Sequence, residues 1–205
     1  MIRRPPRSTP KTHRRQRQMC IRDRYSAKLA EAVTQLKLGN GAEDGVTMGP
    51  LIDDAAADNV VAMIDDATAK GAKVMLGGGR SKLGGSFIEP TILSGVTNNM
   101  RVFREEIFGP VSPLVSFSTE EEAIAIANDT QFGLAAYFCA RDVGRIWRVA
   151  EGLEYGIIGI NEGIISNAMA PFGGIKESGN GREGSKYGLD DYLEIKYLCI
   201  GGIDA

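Results

Sequence analysis

Side chains that can act as nucleophiles or proton shuttles are scarce in this chain. The single histidine, His13, lies in a basic N-terminal stretch, so residues 25–205 hold no histidine for a triad, a metal site or a proton relay. Cys139 and Cys199 lie in apolar, strand-like runs, where a cysteine is typically a small buried hydrophobic residue. Their spacing indicates neither a disulfide framework nor a zinc site. We therefore assign no catalytic residue and no metal site.

A glycine-rich stretch, Pro171–Gly184, is the most distinctive part of the sequence. It holds five glycines in fourteen residues, and glycine permits positive φ and close approach of backbone. Such a loop is either shaped to fit a ligand or packed tightly between elements. Its second half, Gly179–Gly184, fits G-x-G-x-x-G, but the dinucleotide fingerprint needs a preceding strand and a following crossover helix. We therefore reject a phosphate site there.

Charge is distributed unevenly along the chain. Residues 1–24 contain nine of the 24 basic residues and one of the 26 acidic ones, which leaves 15 basic and 25 acidic residues in 25–205. This basic stretch could be a nucleic-acid arm or a mitochondrial presequence, although it is not amphipathic. It also resembles translated sequencing-adapter sequence. We favour this last interpretation, expect residues 1–24 to be a disordered tail foreign to the natural protein, and expect no nucleic-acid binding.

The remaining sequence alternates helix-like and strand-like segments. Helical spacing of apolar residues appears after Tyr25, after Asp53 or Asp54, after the capping box Ser118–Glu121 and after Asp142. The predicted strands are 73–76, 87–93, 111–117, 134–140 and 156–161. This order predicts an α/β fold with a largely parallel sheet flanked by helices. No apolar run is long enough to cross a membrane, and we expect a cytoplasmic protein.

The C-terminal segment has a different pattern. Leu193, Ile195 and Tyr197 alternate with charged residues, which is typical of a half-exposed strand. A terminal strand of this kind adds to a sheet edge of its own chain or of a partner. We therefore divide the chain into the tail (1–24), a partial catalytic domain (25–180) and a helix with an intersubunit strand (181–205).

Several motifs, in order along the chain, carry a resemblance to a known family. They are Gly49–Ile52, Glu105–Pro110, Asn128–Leu134, Asn161–Gly163, Pro171–Gly179 and Asp191–Tyr197. From about Tyr25 onward the chain resembles the C-terminal part of the NAD(P)-dependent aldehyde dehydrogenases. Within that family, Gly159–Ser166 and Gly181–Gly188 are most similar to the enzymes that oxidise succinate semialdehyde.

The resemblance implies two cofactor-binding residues. Glu106 matches the glutamate that holds the nicotinamide ribose, a role that suits a carboxylate because its two oxygens can accept both hydroxyls of a vicinal diol. Phe108 matches a residue that packs near the nicotinamide ring. The alternatives are a solvated acid for Glu106 and an ordinary core residue for Phe108.

The resemblance also implies two residues on the substrate side. Phe172 matches an aromatic residue that lines the aldehyde tunnel, where a wall excludes water from the reacting group. Ser166 matches a position that helps to bind the distal carboxylate of a semialdehyde, to which a hydroxyl can donate one hydrogen bond. The alternative for Ser166 is a serine that caps a loop.

The family's nucleophilic cysteine, glutamate base and cofactor domain have no counterpart in residues 25–205, so we expect this chain alone to be inactive. The parent reaction would oxidise a small-molecule aldehyde, succinate semialdehyde or a related compound such as glutarate semialdehyde, with NAD or NADP. A second hypothesis is a non-catalytic module that forms homo-oligomers through its C-terminal strand.

Overall fold

The computed structural model describes the backbone of residues 11–202 and the side chains of residues 21–202. It contains five α-helices in this range: α1 Lys11–Val33, α2 Asp54–Ala69, α3 Arg101–Arg104, α4 Glu120–Asn128 and α5 Val143–Gly152. The strands are β1 Lys73–Leu76, β2 Thr91–Ser94, β3 Val111–Leu114, β4 Phe132–Gly133, β5 Ala135–Phe138, β6 Ile157–Ile160 and β7 Ile175–Lys176. A 3-10 helix, Tyr187–Tyr192, is the last regular element of the described range.

The α/β fold class is confirmed, although the strands form three small sheets. β1, β2 and β3 form one sheet, in which β2 pairs antiparallel with β1 and parallel with β3. β5 and β6 pair in parallel, and β4 and β7 pair antiparallel. The chain separates into unit 1, which ends at Ser118, and unit 2, which begins at Thr119. Our division at residue 180 has no counterpart in this separation.

The first helix corrects part of our expectation for the tail. Residues 1–10 lie outside the described range, but α1 begins at Lys11 and runs through residues 11–24, where we expected no regular structure. The helix-breaking Pro5, Pro6 and Pro10 all precede Lys11. Arginine, lysine and glutamine, which dominate the next residues, are good helix formers. Composition therefore permits the helix even without an apolar face.

Unit 1 is organised around an apolar core between α2 and its sheet. α2 begins where the Asp53 side chain accepts a hydrogen bond from the Ala56 N–H at 2.7 Å, as predicted. It buries one face, formed by Ala57, Val60, Met63, Ile64 and Ala67. That face packs with Leu93, Val96, Met100 and Val102, all at most 4% exposed. β2 is the middle strand, which explains why Thr91, Ile92 and Leu93 are buried in succession.

A polar network joins α3 to α2. The Arg101 guanidinium donates two hydrogen bonds of 2.7 Å to the two oxygens of Glu105 and a third to Asn59 of α2. The Arg101 backbone N–H donates to Asp66, which also pairs with Lys70 at 2.7 Å. The hydrogen bonds and charge of Arg101 hold the pKa of Glu105 below its usual range. The network therefore fixes where the chain leaves α3.

Unit 2 has almost no fully buried side chain. Within its described part only Gly133, Gly159 and Gly174 are fully buried. Large apolar side chains stay exposed, including Tyr137 next to β6 and Trp147 on α5, which is 64% exposed. Asp142 caps α5, as predicted, and Thr119 caps α4, one residue after the start of the predicted capping box Ser118–Glu121. Unit 2 therefore depends on backbone packing and polar contacts more than on an apolar core.

The C-terminal segment corrects a second expectation. We predicted a strand in Tyr192–Leu198, but residues 193–202 form neither helix nor strand. A strand needs a neighbour to complete its hydrogen bonds, and no described strand lies beside this segment. Its apolar side chains are all exposed, namely Leu193, Ile195, Tyr197, Leu198 and Ile200. Among the described helices none is both long and apolar enough to cross a membrane.

Replacing Leu93 by alanine tests the core of unit 1. Leu93 is 0% exposed, and we expect Leu93→Ala to lower the unfolding free energy of unit 1 by about 2–5 kcal/mol because it leaves a cavity. Hydrogen exchange of the β2 amides measures this directly. Leu83→Ala, at a 58% exposed position, is the control, with an expected change within about 0.5 kcal/mol. Equal effects of the two substitutions would contradict the described core.

The Arg101–Glu105 pair predicts a pH dependence. Because the folded-state pKa of Glu105 lies below its ordinary 4.5, its stabilising contribution is full above that value and is lost as pH falls through the folded pKa. Arg101→Gln should therefore lower Tm at about pH 7, and this effect should shrink as the pH falls below 4.5 and Glu105 becomes protonated. Thermal unfolding followed by circular dichroism measures both, with Arg24→Gln on exposed α1 as the control. A Tm difference that does not change with pH would refute the assignment.

Candidate functional site

The turn at residues 105–109 is attached to the body of unit 1 at both ends. Glu105 is held by Arg101 at the start. At the other end Gly109 lies against α2, where an added Cβ would approach Val60 to 2.6 Å. Between them Ile107 packs on the apolar core. The turn therefore presents its two remaining residues, 106 and 108, from a fixed base.

Only one of the two adjacent carboxylates remains available to a ligand. Glu105 has both oxygens engaged by Arg101, whereas Glu106 is exposed and receives no hydrogen bond or ion pair from the described residues. The sequence predicted Glu106 through its resemblance alone. The four-residue spacing of Arg101 and Glu105 was the signal that could have separated the two glutamates from first principles.

Phe108 does not behave as a core residue. Its ring is 81% exposed, and its backbone adopts φ 43°, in the left-handed region that non-glycine residues rarely enter. Such a conformation costs on the order of 1–3 kcal/mol and persists only where the surroundings impose it. The attachments of Glu105 and Gly109 impose it here. An exposed apolar ring and a free carboxylate therefore lie two residues apart on one rigid turn.

In unit 2, Phe172 is held at the start of the glycine-rich loop. It exchanges two backbone hydrogen bonds with Glu183, of 2.9 and 2.6 Å, and its ring is half-buried. Arg182 donates to the Gly174 carbonyl at 2.7 Å. Gly156 packs so closely on this loop that an added Cβ would overlap the Gly173 carbonyl oxygen. The loop is therefore tightly packed, which was one of our two interpretations.

Ser166 lies just before a closed turn. The Asn167 side chain accepts a hydrogen bond from the Met169 N–H at 2.8 Å, and the Asn167 carbonyl accepts one from the Ala170 N–H at 3.0 Å. The Ser185 N–H donates to the Ala168 carbonyl at 2.9 Å. Ser166 itself is exposed, and its hydroxyl has no partner among the described residues. Ser166 and Phe172 therefore lie in one segment, which is bonded to residues 183–185.

Lys176 is a residue that the sequence reasoning missed. Its ammonium group donates to the carbonyls of Asn128 and Thr130, each at 3.2 Å, and pairs with Glu154 at 2.5 Å. Asn128 ends α4, and its side chain bonds the backbone of Gly152 and Glu154. The only local signal was a lysine within a glycine-rich stretch, and its positive φ became visible in the structure alone.

The segment that fits G-x-G-x-x-G lacks the structure needed to bind a phosphate. It is followed by the 3-10 helix Tyr187–Tyr192 and not by an α-helix N-terminus. The carboxylate of Asp191 also lies against Gly181, which would repel an anion. The sequence-based rejection of a dinucleotide site in Gly179–Gly184 is consistent with this geometry.

Both described cysteines correct our expectation of burial. Cys139 and Cys199 are exposed and free. Cys139 follows β5, whose sheet has two strands in the described part of the chain, and Cys199 lies in the irregular C-terminal segment. Neither position therefore has a covering layer. The residues described here contain no cluster of three potential metal ligands.

Comparison with known proteins agrees with these features. A profile of the aldehyde dehydrogenase family matches residues 13–198, and so begins before the Tyr25 at which we expected the similarity to start. The NADP(+)-dependent succinate-semialdehyde dehydrogenase GabD of Escherichia coli K12 is 59% identical over 181 residues, which are 88% of this chain. A glutarate-semialdehyde dehydrogenase of Pseudomonas aeruginosa is 60% identical over 183 residues, or 89% of this chain.

A solved structure supports the same relationship. Succinate-semialdehyde dehydrogenase from Burkholderia pseudomallei superposes with a TM-score of 0.85 at 60% identity, over 87% of this chain. The chain spans 38% of the length of each of the two relatives and 37% of the solved chain. Because the family profile matches well over half of the sequence, the chain belongs to the aldehyde dehydrogenase family.

Proposed function

We propose that this chain forms the C-terminal part of an enzyme that oxidises a semialdehyde to a carboxylate with NAD or NADP. The reaction consumes one aldehyde, one oxidised cofactor and one water, and yields the carboxylate, the reduced cofactor and two protons. When bound, the nicotinamide supplies the hydride acceptor. The observation that carries the proposal is the contrast between Glu105, fully paired with Arg101, and Glu106, exposed and unpaired two residues from Phe108.

Glu106 and Phe108 fit the ribose and nicotinamide of such a cofactor. An unpaired carboxylate has two oxygens that can accept both hydroxyls of a ribose diol, and charge-assisted hydrogen bonds are the strong ones. No described donor competes for these oxygens. An exposed ring beside the carboxylate offers an apolar surface to a flat heterocycle. The name of the E. coli relative specifies NADP(+), and either NAD or NADP remains compatible with this pair.

On the substrate side, we propose Phe172 as a wall of the aldehyde tunnel and Ser166 as a donor to the distal carboxylate. The free hydroxyl of Ser166 can donate one hydrogen bond but supplies no charge. It therefore contributes to orientation, and additional donors must neutralise the carboxylate. Succinate semialdehyde and glutarate semialdehyde both carry this group, and relatives named for each are equally similar to this chain. The cytoplasmic location expected from the sequence stays a prediction.

A chimera tests the proposed function. Residues 25–202 replace the matching segment of the E. coli enzyme, which supplies the other parts of the catalytic unit. We expect the chimera to oxidise succinate semialdehyde and the 205-residue chain alone to show no turnover. In the chimera, Glu106→Gln should raise KM for NADP+ roughly 10- to 100-fold, because hydrogen bonds to a charged group contribute about 1.5–3 kcal/mol.

Glu105→Gln in the same chimera is the matched control, because Glu105 is already occupied by Arg101. It should leave KM for NADP+ within about threefold of the unsubstituted chimera, a difference below roughly 1 kcal/mol. Equal effects of the two substitutions would remove Glu106 from the cofactor site. Turnover by the 205-residue chain alone would contradict our view that its own residues lack the catalytic groups.

We also propose that the C-terminal segment joins copies of this chain. Residues 193–200 expose five large apolar side chains and have no strand beside them among the described residues. An uncovered alternating segment of this kind pairs readily with another sheet edge. The same contact is expected under the non-catalytic hypothesis, in which the chain forms homo-oligomers and has no catalytic role.

Replacing Ile195 by aspartate tests the association. Ile195 is fully exposed in the single chain, so the substitution should leave its fold intact and abolish oligomers, because a charge at a sheet junction opposes pairing. Sedimentation velocity measures the mass. Ile52→Asp is the control at a 94% exposed isoleucine of unit 1 and should leave the oligomers unchanged. A wild-type chain that sediments as a monomer would refute the proposal.

A further inference from the structure

The sequence of the glycine-rich loop that carries Phe172 does not by itself restrict the loop to one backbone conformation. Gly173 and Gly174 separate Phe172 from β7, and glycine has the widest conformational freedom of any residue. The position of the aromatic ring must therefore be set by contacts that the loop makes with other elements. One such contact is the pair of hydrogen bonds to Glu183, before the glycines. Arg182 adds a hydrogen bond to the Gly174 carbonyl, and a further group of contacts lies after the glycines, at Lys176.

Lys176 satisfies all three donors of its ammonium group on elements distant in sequence. Asn128 and Thr130 offer carbonyls, and Glu154 offers a carboxylate. Asn128 ends α4, a helix with no basic residue in its last turn. A cation near the C-terminus of a helix is favourable because the last carbonyls carry partial negative charge. Lys176 thus supplies a cation that α4 itself lacks.

The backbone conformation of Lys176 indicates that its side chain is needed at this position. Its φ is 55°, a region that favours glycine, in a stretch where glycine is abundant. A lysine at this position accepts backbone strain, and the three contacts of its ammonium group are what offset that strain. Its side chain is 25% exposed, so solvent screens these contacts only in part.

Contacts of the residues next to Lys176 connect its three ammonium contacts to the glycine-rich loop. The Glu177 N–H donates to the Gln131 carbonyl at 3.0 Å, and the Gly133 N–H donates to the Ser178 hydroxyl at 3.0 Å. Gly174 is buried, and an added Cβ would approach the Cβ of Ser178 to 2.5 Å. Lys176 therefore fixes β7 on β4, and β7 fixes the C-terminal end of the segment that begins at Phe172.

We propose that Lys176 is a positioning residue for the aldehyde side of the site, acting through Phe172. The inference rests on the proposed role of Phe172 as a tunnel wall. Lys176 does not contact the substrate. It holds the loop so that the ring keeps one orientation, and its loss should disturb the aldehyde side while leaving the Glu106 side intact.

The first test uses the 205-residue chain and needs no activity. We expect Lys176→Met to accelerate hydrogen exchange at the amides of Phe172, Gly133 and Glu177, and to leave the β2 amides unchanged. Lys186→Met is the matched control, because Lys186 lies in the same unit and carries the same charge, and its ammonium group lies over the neighbouring Tyr187 ring and forms no hydrogen bond or ion pair with the described residues. Wild-type protection of the Phe172 amide in Lys176→Met would overturn the inference.

The second test uses the chimera and separates positioning from general stability. Lys176→Met should raise KM for succinate semialdehyde roughly 10- to 100-fold, since a misplacement of about 1 Å can reduce a rate by about 100-fold. KM for NADP+ should not change, and Lys186→Met should alter neither constant. Parallel rises in both KM values, or no rise in either, would overturn the inference. An inactive unsubstituted chimera would count against the proposed function, and the exchange experiment would still decide the role of Lys176.

Discussion

The ammonium group of Lys176 is a contact at which three separate parts of unit 2 meet. Apolar burial cannot hold this unit together, because its only fully buried described residues are three glycines. The end of α4, the strand β7 and Glu154 instead meet at one cation. Tyr155 adds a hydrogen bond to the Ala127 carbonyl at 2.6 Å, and its partial burial raises its pKa. A polar junction thus replaces a core as the organising feature.

Unit 1, in contrast to unit 2, is held together by an apolar core. Its apolar core fixes α2 against the sheet, and the polar contacts of Arg101 fix where the chain leaves α3. The two adjacent carboxylates therefore have different roles. Glu105 neutralises an arginine and shapes the chain, which leaves Glu106 exposed and without an internal partner. A strained backbone at Phe108 follows from the same two attachments.

Local signals in the sequence were sufficient for much of this fold. The capping signals at Asp53, at Ser118–Glu121 and at Asp142 predicted three helix starts to within one residue, because a cap depends on only a few neighbouring residues. Local signals predicted a terminal strand that residues 193–202 do not form, because a strand also needs a neighbouring strand, which an alternating pattern does not reveal. The prediction that Cys139 is buried was wrong for a related reason, because an apolar run of sequence does not reveal whether another layer of structure covers it. The prediction of Glu106 rests on family resemblance. The contacts of Lys176 join residues 128, 130 and 154 to residue 176, and such distant contacts leave little trace in the local sequence pattern.

Trp147 gives unit 2 an optical property that follows from its position. It is the single tryptophan of the chain and lies on α5 with 64% of its surface in contact with solvent. A hydrated indole emits at long wavelength and is quenched by small solutes, and both properties change when another surface covers the ring. Because the signal has one source, any molecule that docks over α5 would shift the emission to the blue without a chemical label.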